Sequence, residues 1–119
     1  MTGHPAAEAL RRLARPVRVG VIGAGAMGKG VVYQCAITPG VECVALADID
    51  VGKGLACCDV ADRSPILAPS PSALQDAAGS GQLGVCEDGS WVSQCDAVDV
   101  VVECSSAIVE AAQFVLAAL

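Results

Sequence analysis

The feature that most constrains the fold is a glycine-rich turn between a short β-branched run and a segment with helical spacing. The stretch reads Val17-Arg-Val-Gly-Val-Ile-Gly-Ala-Gly-Ala-Met-Gly28 and contains the pattern Gly23-x-Gly25-x-x-Gly28. A buried strand that runs directly into this pattern and then into a helix is typical of a phosphate-binding βα turn. An ordinary tight turn is the alternative. The stretch therefore predicts an α/β fold with a parallel sheet.

Each glycine of the pattern has its own predicted role. Gly23 lets the chain turn sharply out of the strand, and Gly25 has no side chain to hold a pyrophosphate away from the backbone. Gly28 lies on the apolar face of the helix, so we expect the helix to sit close to the sheet. The residues at the predicted helix start, Ala26 and Met27, are expected to present free N–H groups and the positive end of the helix dipole to the phosphates.

Length and composition fit one domain with a parallel sheet. The chain has 119 residues, of which 54% are hydrophobic, and these are mainly small or branched. Such residues suit a sheet covered by helices on both faces. We expect a tail or a short helix over residues 1–15 and the domain over residues 16–119. The net charge of −6 argues against nucleic acid or an anionic membrane as a partner. An anionic cofactor remains compatible, because backbone N–H groups can bind it locally.

The cysteine pattern indicates free thiols. Seven cysteines are present without a Cys-x-x-Cys pattern, and the single histidine, His4, lies in the N-terminal segment. We therefore expect packed thiols of a reducing compartment and no metal site. The adjacent Cys57 and Cys58 could instead form a redox couple. No segment has the pattern of a signal peptide or the length of a membrane span, so the predicted location is the cytoplasm.

An acidic residue follows the second predicted strand at the distance that a dinucleotide site requires. The strand covers Glu42–Ala47 and ends at Asp48, which is 20 residues beyond Gly28. A carboxylate at this tip can accept both hydroxyls of the adenosine ribose, and it would repel a 2′-phosphate. The next residues are Ile49 and Asp50 rather than a cation. The sequence therefore favours NAD as the cofactor, with NADP as the alternative.

The residues around this tip allow other roles. Asp48 could be a helix N-cap, although Asp50 fits that role better because it stands just before the next helical segment. Lys53 and Arg63 are expected to face solvent, and either could flank the adenine side of a cofactor.

The remaining elements are predicted from hydrophobic spacing and from turn and cap residues. They are a helix over about Met27–Ile37, a weak helix over Val51–Val60, a proline-punctuated connection over Arg63–Pro71, a short helix that Ser72 opens and Gly79 ends, a strand over Gln82–Cys86, a short helix over Trp91–Cys95 that Ser90 caps, a strand over Asp99–Cys104 and a helix over Ala107–Ala118.

This order of elements predicts a Rossmann-type sheet with strand order 3-2-1-4 and helices on both faces. In such a sheet, ligands bind outside the carboxyl ends of the first and fourth strands, where the winding reverses. The fourth strand ends in Glu103, Cys104, Ser105 and Ser106. We expect these residues to border the middle or the nicotinamide end of a bound cofactor.

Each of these four residues also has another interpretation. Ser105 or Ser106 could simply cap the following helix. Glu103 could be a buried acid held by backbone N–H groups, or it could orient a cofactor ribose. Cys104 as a catalytic thiol would need a base, and His4 is the single histidine, so no catalytic residue is predicted.

Two blocks of sequence resemble one family of enzymes. Pro16-Val-Arg-Val-Gly-Val-Ile-Gly-Ala-Gly-Ala-Met-Gly-Lys-Gly30, followed by Gln34 and Thr38-Pro-Gly40, resembles the start of the homoserine dehydrogenase-like oxidoreductases that carry a C-terminal SAF domain. Asp99-Val-Val-Val-Glu-Cys-Ser is similar to the strand-four block of that family, in which an acid is usually followed by Ala-Thr-Gly. The similarity covers nearly the whole chain, but only the cofactor domain of the family.

The resemblance implies positions for a cofactor. It puts the three glycines of the turn at the pyrophosphate, Asp48 near the adenosine ribose and Ser105 beside the cofactor. Two residues depart from the family pattern. Ser106 stands where the family usually has glycine, and Ile49 follows Asp48 where the family often has arginine, which accompanies NADP use.

The function implied by the resemblance is that of an NAD(P)-binding domain of an oxidoreductase acting on a small hydroxy or carbonyl compound. The catalytic domain is expected to lie outside this chain, and any oligomer is expected to form through that domain. Three alternatives stay open. They are the cofactor domain of a Gfo/Idh/MocA-type sugar oxidoreductase, a stand-alone dinucleotide-sensing module, and a methyltransferase-like binder of S-adenosylmethionine.

Overall fold

The protein is a five-stranded, all-parallel sheet with helices on both faces. The computed structural model describes Pro5, Glu8, Ala9, Arg12, residues 14–105 and residues 115–118. The strands are β1 (Val17–Ile22), β2 (Val41–Ala47), β3 (Ile66–Leu67), β4 (Gly84–Cys86) and β5 (Val100–Glu103). The helices are α1 (Ala26–Ile37), α2 (Val51–Cys57), α3 (Pro71–Gly79) and α4 (Gly89–Ser93), and a 3₁₀ turn covers Cys58–Ala61.

The order of the strands is β3-β4-β2-β1-β5. The four predicted strands correspond to β1, β2, β4 and β5, so the predicted order 3-2-1-4 is confirmed. In the sheet, β1 lies between β2 and β5, and its last residue, Ile22, pairs with Ala47 on one side and with Glu103 on the other. The three carboxyl ends therefore lie side by side at one edge of the sheet.

One strand was not predicted. Ile66 and Leu67 form β3 at the outer edge of the sheet, inside the segment predicted as a connection. The N–H of Ile66 donates to the carbonyl of Leu83 at 2.8 Å, and the N–H of Ala68 donates to Val85 at 2.8 Å. Pro65 and Pro69 flank the strand and limit it to two residues, which is tolerated because an edge strand needs donors on one side only.

The core has two halves, one on each face of the sheet. Because successive residues of a strand point to opposite faces, β1 and β2 bury apolar side chains on both sides. The half under α1 and α2 contains Val19, Val21, Val32, Cys35, Cys43, Leu46, Cys58 and Val85. The half under α3 and α4 contains Ile22, Ala45, Ala47, Leu74, Cys86 and Val92. The small and branched residues therefore form the doubly covered sheet that the composition predicted.

The cysteines behave as the sequence predicted, as packed free thiols. All seven lie in the described part of the chain, six of them are buried, and none forms a disulfide. Cys57 and Cys58 lie in the core half under α1 and α2. Burial raises the pKa of Cys58 to about 11, which keeps the thiol protonated and unreactive at neutral pH. These contacts favour the packing interpretation of the pair over a redox couple.

Helix N-caps agree with the sequence in one case and differ in two. The prediction that Asp50 caps the second helix is confirmed, because its Oδ1 accepts from the N–H of Lys53 at 3.1 Å. Ser70, rather than Ser72, caps α3 and accepts from the N–H of Ala73 at 3.1 Å. The helix begins earlier than predicted because Pro71 suits a first helical position.

Asp88, rather than Ser90, caps α4, so this helix begins two residues before the predicted Trp91. The Oδ1 atom of Asp88 accepts from the N–H of Ser90 at 2.9 Å and from its hydroxyl at 2.7 Å. The Ser90 hydroxyl is therefore a donor to the cap. Within the described residues, every helix is too short or too polar to cross a membrane.

Paired charges lie at the amino edge of the sheet, where the strands begin. Arg15 makes two hydrogen bonds to the carboxylate of Asp99, Nη1 to Oδ2 at 2.8 Å and Nη2 to Oδ1 at 3.1 Å. The N–H of Arg18 also donates to Asp99 Oδ2 at 2.8 Å. The hydrogen bond from Arg15, followed by that from the Arg18 backbone, lowers the pKa of Asp99 to about 2. Asp99 thus links the start of β5 to β1.

Arg63 connects other segments near this edge, and the prediction that it faces solvent is wrong. Its guanidinium is half-buried and donates to the carbonyls of Cys43 and Gly81. Its Nη2 also lies 3.5 Å from Glu42 Oε1. These partners belong to the start of β2 and to the turn after α3, so Arg63 does not flank a ligand at the carboxyl edge.

Candidate functional site

The candidate site is the carboxyl edge of the sheet, where the glycine turn lies between the ends of β2 and β5. The N–H of Gly23 donates to the carbonyl of Ala47 at 2.8 Å, and the N–H of Cys104 donates to Ile22 at 2.7 Å. These bonds continue the sheet by one residue and bring the turn next to Asp48 and Ser105. Of the predicted site residues, only Ser106 lies outside the described residues.

Gly23 is required by the fold itself. Its φ of +102° lies in a region that side chains strongly disfavour. A Cβ atom at this position would also lie 2.7 Å from the backbone nitrogen of Ser105 and 2.7 Å from the carbonyl carbon of Cys104. The sharp turn predicted for Gly23 is therefore present, and it packs directly against the end of β5.

Gly28 is also required by the fold. A Cβ atom here would overlap the carbonyl oxygen of Gly23 and would lie 3.6 Å from Val21 Cγ1. The close packing predicted at this position is present, but the nearest contact is the backbone of the turn rather than a strand side chain. The missing side chain lets the first turn of α1 sit against the residue that begins the loop.

Gly25 differs from both, because no contact in the described structure requires it to be glycine. A Cβ atom at this position would have no heavy atom within 4 Å. Gly25 is the N-cap of α1, its φ of −73° and ψ of −167° suit any residue, and no side chain caps the helix. The space in front of this residue is therefore open to solvent.

The first turn of α1 is suited to an anion. Its first residues, Ala26 and Met27, are exposed, with Met27 at 70%. The turn carries no acidic side chain. The N–H groups at a helix start have no partner inside the helix, and they carry the positive end of the helix dipole. The exposed backbone beside Gly25 can therefore donate hydrogen bonds to a phosphate.

Asp48 connects the glycine turn to the loop after β2. Its half-buried carboxylate accepts from the N–H of Ala24 through Oδ2 at 2.8 Å and from the N–H of Asp50 through Oδ1 at 2.8 Å. A carboxylate offers about four lone-pair positions, so both oxygens can accept further hydrogen bonds. Asp48 therefore holds the turn and is still able to bind ligand hydroxyls.

The residue after Asp48 is almost fully exposed to solvent. Ile49 is 92% exposed, the largest exposed fraction among the large hydrophobic side chains of the described residues that are exposed. Lys53, on the first turn of α2, is exposed as predicted. The sequence predicted the position of Ile49 only as one that lacks a cation, whereas the structure shows a neutral, exposed side chain beside Asp48. Its position after a strand-terminal acid was the signal available.

The carboxylate of Glu103, at the end of β5, has a backbone hydrogen-bond partner for one of its two oxygens. Its Oε1 atom accepts from the N–H of Ser105 at 2.6 Å, as the structural interpretation of this acid anticipated. Its Oε2 atom and the hydroxyl oxygen of Ser105 are buried, and neither has a hydrogen-bond partner among the described residues. One acceptor and one hydroxyl therefore lie unpaired at this tip.

Cys104 is not an activated nucleophile. Burial, and then the neighbouring Glu103 carboxylate, raise the pKa of its thiol. A raised pKa keeps the sulfur in its unreactive protonated form. In the residues that the structure describes, no cluster of His, Cys, Asp and Glu side chains is arranged to hold a metal ion.

No protein-family model matches the sequence, and no curated protein matches it significantly. The resemblance to homoserine dehydrogenase-like oxidoreductases therefore stays a prediction.

Proposed function

We propose that this domain binds a dinucleotide, NAD in preference to NADP, as the cofactor domain of an oxidoreductase that acts on a small hydroxy or carbonyl compound. The observation that carries the proposal is the contrast among the three glycines of the turn. Gly23 and Gly28 are required by close backbone contacts, whereas Gly25 has open space in front of it. A glycine that the fold does not need, at the start of a helix, is explained by a ligand that approaches the backbone there.

The chemistry of the turn supports a pyrophosphate as that ligand. The exposed start of α1 has neither a capping side chain nor an acid in its first turn. A helix start of this kind has a partial positive charge of about half an elementary charge. A pyrophosphate can accept several N–H groups at once, so it satisfies donors that otherwise bind water.

The residues at the end of β2 support NAD over NADP. Asp48 lies next to the turn, with both of its oxygens fixed by backbone N–H groups. A carboxylate in this position accepts hydrogen bonds from ribose hydroxyls and repels a 2′-phosphate. The following side chain, Ile49, is neutral and can pack against an adenine ring without neutralising a phosphate.

The hydride chemistry in this proposal belongs to the nicotinamide ring, and the domain supplies position and electrostatics. The thiol of Cys104, which follows the end of β5 beside the turn, has a raised pKa. We therefore assign no catalytic residue to this edge. On the family resemblance, the groups that bind the second substrate and move protons are proposed to lie outside the domain.

The test is calorimetric titration of the domain with NADH, NADPH and S-adenosylmethionine. The proposal expects NADH to bind most tightly and S-adenosylmethionine not to bind. If S-adenosylmethionine alone binds, the oxidoreductase proposal is wrong. If NADPH binds much more tightly than NADH, the role given to Asp48 is wrong.

Gly25→Val tests the position of the pyrophosphate. The valine side chain would enter the open space, so NADH binding should be lost while the fold is kept, as judged by circular dichroism and thermal melting. Gly30→Val is the matched control, because Gly30 lies on the same helix and also has no heavy atom within 4 Å of a Cβ. The control should bind NADH like the wild type. If the two variants bind NADH equally well, the proposed position of the pyrophosphate at Gly25 is wrong.

A further inference from the structure

The sulfur-containing side chains of the described residues differ sharply in exposure. The seven cysteines are all buried or half-buried, and burial raises the pKa of the Cys43 thiol to about 12. Met27 is different, because it is 70% exposed. A thiol is oxidised through its thiolate form, so buried and protonated thiols react slowly. In the part of the chain that the structure describes, Met27 is therefore the sulfur-containing residue most accessible to an oxidant in solution.

The position of Met27 places this exposed thioether beside the glycine turn. It lies in the first turn of α1, whose N-cap is Gly25. Helical side chains lean towards the N-terminal end of their helix, which here is the end with open space in front of Gly25. No side chain caps this helix start. Thioether sulfur is only a weak acceptor, so Met27 leaves the N–H groups at the start of α1 free for a ligand.

Oxidation would turn the Met27 side chain into a strong acceptor. With hydrogen peroxide, the sulfur lone pair attacks one peroxide oxygen, an S–O bond forms and the O–O bond breaks. The other oxygen leaves as water with both protons, so the sulfur is oxidised and the peroxide is reduced. The sulfoxide is polar, and its oxygen carries partial negative charge. Such an oxygen is favoured at the positive end of a helix, where acceptor side chains of the first turn reach back to the free N–H groups.

We propose that Met27 is an oxidation site, and that its sulfoxide oxygen binds the N–H groups at the start of α1 in competition with the phosphates of the dinucleotide. Because this oxygen belongs to the chain itself, it competes at a high effective concentration. Methionine sulfoxide reductases reverse the oxidation and would free the N–H groups again. This inference rests on the proposed function, because the ligand that the sulfoxide displaces is the pyrophosphate at Gly25.

The experiment measures the NADH affinity of the domain by calorimetry before and after treatment with hydrogen peroxide. Dithiothreitol then reduces any reversibly oxidised thiol, and peptide mass spectrometry checks that Met27 has gained one oxygen atom. We expect oxidation to weaken NADH binding roughly tenfold, the loss typical of hydrogen bonds to a charged group. The reductases for the two sulfoxide epimers, added together, should restore the affinity.

Two variants at Met27 separate the sulfoxide from other effects of peroxide. Met27→Leu keeps an apolar side chain of similar volume and removes the sulfur, so peroxide should leave its NADH affinity at its own untreated value. Met27→Gln supplies a permanent oxygen acceptor. It should bind NADH more weakly than Met27→Leu and melt at the same or a higher temperature, because the oxygen caps the helix. A lower melting temperature would indicate damage to the fold and would overturn the inference.

The other outcomes separate this inference from the proposed function. If peroxide does not convert Met27, if the conversion leaves NADH affinity unchanged, or if Met27→Leu loses affinity by the same factor as the wild type, the inference is overturned and the proposed function stands. The same holds if Met27→Gln binds NADH as tightly as Met27→Leu. If the untreated wild type does not bind NADH, the proposed function fails, and this inference fails with it.

Discussion

The two edges of the sheet use acidic residues differently. At the amino edge, Asp99 and Glu42 are paired with the guanidinium groups of Arg15 and Arg63. At the carboxyl edge, Asp48 and Glu103 accept hydrogen bonds from backbone N–H groups, and no cation of the described residues pairs with them. A cation beside an acid neutralises its charge, whereas backbone N–H groups leave the carboxylate without a counter-ion. The comparison therefore separates acids that are paired with cations from acids that are held by backbone N–H groups alone.

The largest expected effect is a loss of stability at the carboxyl edge, caused by a substitution at Gly28. Gly28→Ala would place a Cβ atom against the Gly23 carbonyl oxygen, a backbone atom that cannot move away alone. We expect the free energy of unfolding to fall by about 2–3 kcal/mol, as in overpacked cores. Urea denaturation measures it.

Gly30→Ala is the matched control for this prediction. The same change on the same helix meets no heavy atom within 4 Å. It should raise the free energy of unfolding by about 0.5–1 kcal/mol, because alanine favours helix over glycine. If both variants were stabilised, the close contact between α1 and the turn would be wrong.

The next effect concerns cofactor affinity at the carboxyl edge and tests the charge of Asp48. Asp48→Asn removes the charge and leaves one oxygen for the two N–H groups that the carboxylate now accepts. NADH should bind roughly tenfold more weakly, in line with the loss of hydrogen bonds to a charged group. The difference between NADH and NADPH affinities should narrow, because the repulsion of the 2′-phosphate is lost. Titration with both cofactors gives the ratio of NADH to NADPH affinity in the wild type and in the variant. An unchanged ratio would contradict the role of the Asp48 charge.

The smallest effect concerns the amino edge. Asp99→Asn removes a carboxylate whose pKa is lowered to about 2, first by the Arg15 hydrogen bond. A lowered pKa stabilises the fold above the unfolded value of about 3.9, and that stabilisation disappears as the pH falls towards 2. The variant should therefore be slightly less stable than the wild type at pH 7, by a small margin because the pair is solvent-exposed, and the difference should vanish once the pH is below the folded-state pKa of Asp99.

Denaturation midpoints across this pH range test the prediction, and NADH affinity should not change. Asp96→Asn is the control, since the exposed side chain of Asp96 makes no hydrogen bond or ion pair with the described residues. A loss of NADH binding in Asp99→Asn would show that the two edges are not independent.

The sheet could be predicted because its determinants are local. The β-branched runs of β1 and β5 and the glycine pattern between β1 and α1 lie within short segments of sequence. The strand β3 could not be predicted, because two residues between prolines are too few to show an alternation of apolar and polar side chains. The caps of α3 and α4 were misplaced by two residues, since Ser70 and Ser72, or Asp88 and Ser90, have similar local capping chemistry. For α3, Pro71 after Ser70 suits the first helical position and favours the earlier cap.

The candidate site was predicted as a set of positions, but not as a set of contacts. Asp48 and the glycines were identified from spacing, and the topology brought the end of β5 beside them. The bond from Ala24 to Asp48 spans 24 positions, and that from Arg15 to Asp99 spans 84. Partners so distant in sequence follow from strand order and register rather than from any local pattern. The unpaired oxygen of Glu103 is likewise visible only in the folded chain.

The hydrogen bond between Asp48 and the N–H of Ala24 has a consequence for how tightly a ligand can bind. It fixes the glycine turn to the end of β2 in the protein alone, so the backbone donors near Gly25 need little ordering on binding. Ordering a loop during association lowers affinity, and a preorganised site avoids that entropic loss. A substitution at Asp48 would therefore reduce phosphate affinity as well as ribose affinity, although its side chain touches no phosphate.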